Sequence, residues 1–127
     1  MNDRFKFRIW RQENPFVENW QPKYVYLTLG SESGFCKTDI IEQCTGLKDK
    51  NGRLIYEGDI VEIMVWDDTV EDMVETKGKV YWSREDAAFL INVSYDAEYS
   101  LNSHETFYGQ EIEVIGNIHE NKELLDE

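Results

Sequence analysis

The chain has 127 residues, of which 41% are hydrophobic and 31% charged, enough for one folded domain with an apolar core. Its 26 acids and 13 bases give a formal net charge of −13, which repels phosphate backbones and anionic lipids. The composition therefore disfavours binding of nucleic acid through a broad basic patch. Six Phe, seven Tyr and four Trp beside two Pro favour β structure.

The first predicted strand covers residues 4–10, RFKFRIW, in which apolar and basic side chains alternate. Alternation of this kind is typical of a half-buried strand with one polar face. The predicted basic outer face carries Arg4, Lys6 and Arg8. The other predictions in this part of the chain are a loop over 11–22, a strand over 23–30 and a short strand over 39–44.

The most patterned stretch is CTGLKDKNGRLIYEGDIVEI, residues 44–63. Asn51-Gly52 predicts a hairpin with a type I′ turn, because both residues tolerate positive φ. Its arms would be 47–50 and 53–56. Gly58-Asp59 predicts a second turn, which leads into a core strand over 60–66.

Residues 67–76, DDTVEDMVET, fit two structures. Val70, Met73 and Val74 have helical spacing, but a hairpin tip is preferred because Lys77-Gly78 leads directly into another strand. The remaining predictions are a strand over 79–82, a turn over 83–88, a strand over 89–95, a loop over 96–110, a strand over 111–118 and one helical turn near 123–125.

About five short β runs after residue 58 predict a small barrel or sandwich in a mainly β protein, with β-rich α+β as the alternative. Residues 1–45 would form a separate N-terminal β segment, and residues 46–127 the second unit with a short tail.

Four blocks carry a family resemblance: RFKFRIW, TGLKDKNGRLIYEGDIVEI, GKVYW with AAFLI, and EIEVIGNIHENKELL. In order and spacing they resemble the YopX family of small proteins encoded by bacteriophages and prophages. The resemblance implies an SH3-like β-barrel in the C-terminal part and a phage or prophage origin. It implies no activity, so it assigns no catalytic residue.

Between Arg53 and Lys77 the chain has eight acids and no base. Three interpretations are open: a solvated loop whose charge protects a strand edge, a surface for a basic partner or a mimic of DNA, and a site for a hard cation. The spacing does not match an EF-hand loop. The acids that we single out as an interaction surface are Asp67, Asp68, Glu71 and Asp72.

The basic N-terminal face, with Arg11 added, also has three interpretations. It could pair with an acidic face of the same chain or of a neighbouring copy, it could be solvated, or it could contact nucleic acid. Charge polarity of this kind favours head-to-tail self-association.

No residue pattern predicts catalysis, a cofactor or a metal. Glu57 and Asp59 could act as an acid–base pair, but Asp59 is expected to accept a backbone N–H in its turn. His104 and His119 are expected at the surface or as capping residues, and Cys44 is expected to be buried. A charged N-terminus and the lack of a long apolar run predict a cytoplasmic protein with reduced Cys36 and Cys44.

These observations predict a non-enzymatic interaction or assembly protein of the host bacterial cytoplasm. Its partner would be another copy of itself or an unidentified phage or host protein. The alternative is a nucleic-acid-related accessory protein. Trp20, Trp66 and Trp82 could anchor an interface, although their place in strands favours core packing for Trp66 and Trp82.

Overall fold

The structure is a computed structural model that describes residues 6–14, 16–28, 38–94, 97–101 and 112–125. Within these ranges nine strands form two antiparallel sheets, so the prediction of a mainly β protein is confirmed. The strands are β1 (Lys6–Arg11), β2 (Lys23–Thr28), β3 (Ile40–Lys48), β4 (Leu54–Tyr56), β5 (Asp59–Asp67), β6 (Asp72–Ser83), β7 (Ala88–Ser94), β8 (Ala97–Ser100) and β9 (Glu113–Asn117).

The first sheet has the order β2-β1-β3-β4. Its central strand β1 pairs on both sides, with Ile9 opposite Val25 of β2 and opposite Ile41 of β3. The strand β3 is longer than predicted and carries an irregularity between Cys44 and Lys48. The predicted boundary between residues 45 and 46 falls inside β3, so the division into two units stays a prediction that no strand end marks.

The second sheet has the order β8-β7-β6-β5-β9 and is curled into a half-barrel. Its inward side chains form the main apolar core, to which β4 of the first sheet contributes Ile55. The two sheets therefore share one core and are not independently packed. The buried members of this core are Ile55, Val61, Ile63, Val80, Phe89, Ile91, Leu101, Ile112 and Val114.

The predicted hairpin at Asn51-Gly52 joins β3 to β4, but its turn is not type I′. Gly52 has a φ of +82° while Asn51 does not have positive φ, and the Gly52 amide donates to the Asp49 carbonyl at 3.0 Å. This is a type I turn followed by a left-handed glycine. The cause is the Asp49 carboxylate, whose Oδ1 accepts the amides of Asn51 and Arg53 at 2.9 Å each.

The Asp49 carboxylate also fixes the hairpin turn to the last strand. Its Oδ2 accepts the Val114 amide at 2.9 Å, and the Lys50 amide donates to the Ile112 carbonyl at 2.9 Å. The turn is thus held by backbone bonds on one side and by a buried carboxylate on the other.

Residues 67–76 form the hairpin that the sequence favoured. The strand β5 ends at Asp67 and β6 begins at Asp72, with Asp67 opposite Asp72 and Glu71 at a φ of +51°. Residues 97–100, predicted as loop, form β8 instead, and 102–110 lie outside the described residues. A 3-10 helix at Lys122–Leu124 matches the predicted helical turn. None of the described helices has the length and apolar character that a membrane crossing requires.

Candidate functional site

The side chain of Arg8 is buried, which corrects the prediction that it lies on an exposed basic face. Only 2% of it is exposed, and its Nε donates to Glu42 Oε1 at 2.8 Å. Its Nη2 lies 2.9 Å from Asp59 Oδ1 and donates to the Glu57 carbonyl at 3.0 Å. Simple alternation fails because β1 is the centre of its sheet, and its polar face is covered by acids brought from β3 and β5.

Glu42 is the second centre of this buried network. Besides Arg8, its carboxylate accepts the Tyr24 hydroxyl at 2.9 Å, and its Oε2 lies 2.9 Å from His119 Nε2. The His119 ring stacks on Trp10, with 4.7 Å between ring centroids and 5° between planes. The network therefore connects β1, β2, β3 and the turn after β9. His119, which we expected at the surface or as a capping residue, has a side chain that is 11% exposed.

Two tyrosine rings pack against the Arg8 guanidinium. Its Cζ lies 4.0 Å from the ring centroid of Tyr24 and 4.9 Å from that of Tyr56. Cation–π contacts of this kind are strongest where the cation is desolvated. Arg8 therefore contacts two carboxylates, one backbone carbonyl and two aromatic rings, and its charge is balanced inside the protein.

Burial and charge act in opposite directions on the pKa values of this network. Burial lowers the pKa of Arg8, but Asp59, Tyr24 and Glu42 together raise it above its ordinary value. Burial raises the pKa of Asp59, against the opposing effect of Arg8 and the Tyr56 amide. Burial also raises the pKa of Tyr24 far above its ordinary value and that of Tyr56 to about 12. The tyrosines thus stay neutral at physiological pH.

Gly58 makes room for the network. It has a φ of +84°, and a Cβ built there would collide with the Glu42 carboxylate, lying 2.8 Å from its Cδ. The glycine is required both for its left-handed backbone and for the close approach of Glu42. This is the physical role of the Gly58-Asp59 turn that the sequence predicted.

The proposed acid–base pair Glu57 and Asp59 is engaged in structural contacts. Asp59 Oδ2 accepts the Tyr56 amide at 2.8 Å, which confirms the expected backbone bond. Glu57 Oε1 accepts the Gln43 amide at 2.7 Å, and burial raises the pKa of the Glu57 carboxyl.

The predicted basic face does not persist as one exposed surface among the described residues. Arg11 pairs with Asp39, with Nη2 and Oδ2 2.8 Å apart. Lys6 lies beside a cleft described next, and Arg4 lies outside the described residues. Arg8 and Arg11 thus pair with acids of the same chain.

A cleft of about 420 Å³ opens on the first sheet beside the buried network. The residues that line it are Lys6, Arg8, Tyr26, Lys48, Gly52, Arg53, Leu54 and Tyr56. Four of them are cationic, and no described carboxylate lines the cleft. A second cleft, of about 340 Å³, is lined by charges of both signs, including Glu62, Glu75 and Lys77.

The acidic stretch between Arg53 and Lys77 does not form one surface either. Asp59 is buried against Arg8, whereas Asp68, Glu71 and Asp72 are exposed at the tip of the β5–β6 hairpin. Asp67 lies at the base of that tip, where hydrogen bonds from Thr69 lower the pKa of its carboxyl. No group of three or more His, Cys, Asp or Glu with metal-site geometry occurs among the residues that the structure covers.

Apolar side chains accompany these acids, and we define the hairpin tip as residues 66–72. Trp66 is 55% exposed and Val70 58% exposed. The Trp66 Nε1 donates to Asp68 Oδ1 at 2.7 Å, so the indole is held at the surface. Core packing, which we expected for Trp66, is therefore wrong, because the residue lies near the end of a strand that projects beyond the core.

Core packing holds only in part for Trp82. Its ring is 39% exposed and meets the buried Phe89 edge to face, with centroids 5.0 Å apart. Trp20 donates its Nε1 to the Arg11 carbonyl at 3.0 Å, and Lys23 Nζ lies 4.6 Å from its ring centroid. Cys44 is fully buried as expected, and Cys36 and His104 lie outside the described residues.

Sequence reasoning missed Glu42, Tyr24 and Tyr56 as partners of Arg8. Glu42 is 34 positions away and Tyr56 is 48 positions away, so no local spacing connects them. The one available signal was that Glu42 alternates with Ile40 and Cys44 on one face of a predicted strand, where a buried carboxylate requires a cation.

Comparison with known proteins gives a family and a similar solved structure. A family model described as "YopX protein" matches residues 6–126. The crystal structure of protein EF1440 from Enterococcus faecalis is similar to this chain, with 27% sequence identity and a TM-score of 0.51. The similarity covers 94% of this chain and 75% of that one. A comparison with curated proteins found no match.

Proposed function

Since the chain belongs to the YopX family, we propose that it is a non-enzymatic interaction module, encoded by a phage or prophage, that acts in the host cytoplasm. Its docking element is the hairpin tip. The observation that carries the proposal is the combination of exposed Trp66 and Val70 with four carboxylates on one projecting turn.

The chemistry of the hairpin tip selects the kind of partner. An exposed indole with more than half its surface in water is a typical anchor for a binding pocket, because Trp is enriched among interface hot spots. Asp67, Asp68, Glu71 and Asp72 lie on the same hairpin tip, and Asp68 accepts the indole N–H, so the partner should present cations beside an apolar pocket. A basic phage or host protein fits this description.

Self-association is the second class of partner. In self-association the hairpin tip of one copy would meet the basic N-terminal face of another. Fewer cations are exposed on that face than predicted, because Arg8 is buried and Arg11 pairs with Asp39. Copies with a charge of −13 also repel one another. Self-association should therefore strengthen as salt is added, whereas docking on a basic partner should weaken.

The nucleic-acid alternative divides into two parts. Direct contact of nucleic acid with the N-terminal strand is weakened, because Arg8, the central residue of that strand's basic face, is buried. Mimicry of DNA loses the buried Asp59 but retains the acids of the hairpin tip, of which Asp68, Glu71 and Asp72 are exposed. A DNA-binding protein is therefore one member of the proposed class of basic partners.

The test is capture of partners by the immobilised protein from host and phage-infected extracts, together with light scattering at low and physiological salt. Trp66→Ser should remove a bound basic protein, with an affinity loss of roughly 30-fold or more for a hot spot of about 2 kcal/mol. Phe16→Ser is the matched control, because Phe16 is 92% exposed but lies away from the hairpin tip.

A monomer at micromolar concentration at both salt levels, with no capture that depends on Trp66, would sink the proposal. Capture of a DNA-binding protein that releases its DNA on binding would identify mimicry.

A further inference from the structure

The cleft on the first sheet concentrates positive charge in a chain that is otherwise acidic. Among the described residues its lining has no carboxylate, although the chain contains 26 acids. The exposed cations of such a lining repel one another, and a bound anion would relieve that repulsion. The cleft shares no lining residue with the hairpin tip, so a ligand there would bind independently of the proposed docking element.

The rim of the cleft, and not its floor, supplies the attraction for an anion. Arg8 on the floor is already balanced by Glu42 and Asp59. Lys48 and Arg53 at the rim are exposed, and among the described residues neither forms a salt bridge. The buried Asp59 carboxylate, which already pairs with Arg8, acts on Arg53 without direct contact. Lys48 and Arg53 both flank the Asp49 turn, so the backbone that carries them is fixed by the bonds to the last strand.

An aromatic ring lies within reach of these cations. Tyr26 is 58% exposed, and its ring meets the buried Tyr56 ring edge to face, with centroids 5.9 Å apart and planes at 71°. This contact orients Tyr26 without covering it. An exposed ring beside cations is the combination by which proteins stack a planar base while they hold its phosphate.

Size and charge favour a small ligand over a polymer. The volume of about 420 Å³ lies within the usual range for small-molecule sites. At physiological ionic strength the field is screened beyond about 8 Å, so a compact anion responds to the rim cations. A long nucleic acid would extend beyond the cleft over a chain whose formal net charge is −13 and be repelled by it.

We propose that the cleft formed by Lys6, Lys48, Arg53 and Tyr26 binds a phosphate-bearing ligand with a planar ring, of the chemical class of a mononucleotide. The phosphate pairs with Lys48 and Arg53, and the ring stacks on Tyr26. Gly52 leaves the entrance open, since a Cβ there would have nothing within 4 Å.

Calorimetric titration of the full chain with adenosine 5′-monophosphate tests the proposal, with inorganic phosphate, adenosine and ribose 5-phosphate as partial ligands. The mononucleotide should bind more tightly than each part and lose affinity as salt rises. Arg53→Ala and Lys48→Ala should each weaken binding about tenfold, the effect of one charge-assisted bond.

Matched variants separate the phosphate contact from the ring contact. Arg84→Ala removes an exposed arginine from another turn and should leave affinity unchanged. Tyr26→Phe should retain binding, and Tyr26→Leu should lower it to the level of ribose 5-phosphate. Circular dichroism and the melting temperature of each variant show that the fold is retained.

Three results would overturn the proposal. The first is no binding of the mononucleotide at millimolar concentration. The second is an equal loss of affinity in Arg84→Ala and Arg53→Ala, which would indicate unspecific attraction. The third is affinity that increases with the length of a single-stranded oligonucleotide, which would assign the cleft to a polymer.

Discussion

Replacement of Arg8 by methionine tests how strongly the buried network stabilises the fold. Methionine is close in length but cannot balance Glu42 and Asp59. Those carboxylates have side chains that are 6% and 1% exposed, so water does little to compensate for the missing cation. Breaking a buried pair from one side costs about 3–5 kcal/mol. That is a large part of the roughly 5–15 kcal/mol that stabilises a typical domain.

The assay is urea unfolding followed by tryptophan fluorescence, with the midpoint and the slope compared between variants. Arg84→Met, an exposed arginine in the β6–β7 turn, is the control and should change stability by less than about 0.5 kcal/mol. A loss below about 1 kcal/mol in Arg8→Met at neutral pH would refute the view that Arg8 compensates buried charge.

The pH dependence of Arg8→Met gives an independent check. Burial already raises the pKa of Asp59, and removal of Arg8 takes away the opposing effect. The folded variant then binds a proton that the unfolded chain releases, so its stability should rise as pH falls. The deficit relative to the unmodified protein should therefore shrink in mild acid, and a deficit independent of pH would contradict the charge argument.

Three further substitutions or conditions have defined outcomes. Gly58→Ala should lower the free energy of unfolding by at least 1–3 kcal/mol, roughly the cost of a strained left-handed residue, because its Cβ also collides with Glu42; urea unfolding within 0.5 kcal/mol of the unmodified protein would be unexpected. Asp49→Ala removes three accepted hydrogen bonds and should cost about 3 kcal/mol, with faster amide exchange at Val114; unchanged exchange there would argue against the anchor. In alkali, stability should be retained below the unfolded tyrosine pKa of about 10 and lost as pH rises through about 12, the pKa of Tyr56. Phenolate absorbance that reports every tyrosine titrating near pH 10 in the folded protein would contradict this expectation.

Local signals predicted the hairpins well. Asn51-Gly52 and the 67–76 segment were both assigned to turns between strands, because glycine, turn residues and the start of the next strand lie within a few positions. The type of the first turn was wrong because a side chain decided it. Asp49 bonds two amides of the turn, and this bond outweighs the preference of Asn51 for positive φ.

Long-range contacts explain the errors at the candidate sites. The alternation of apolar and basic residues in β1 predicted that Arg8 is exposed. A local pattern cannot indicate that Glu42 and Asp59, which lie on other strands, cover that face. The position of Trp66 in a strand suggested that its side chain packs in the core. Its burial, however, depends on how far the core extends along that strand. The grouping of Lys48 and Arg53 with Lys6 around a cleft depends in the same way on the pairing of β3 with β1 and β4.

The contacts of the final strand bear on how the protein is made. The Val114 amide completes the Asp49 turn, and His119 completes the surroundings of Glu42, so both interactions wait for residues that follow β8 in the chain. The ribosome makes these residues after the strands that they complete. Neither sheet can therefore reach its final state before β9 and the turn after it have been made, and folding should occur as one cooperative step. A chain that ends at residue 111 should consequently show no cooperative unfolding transition.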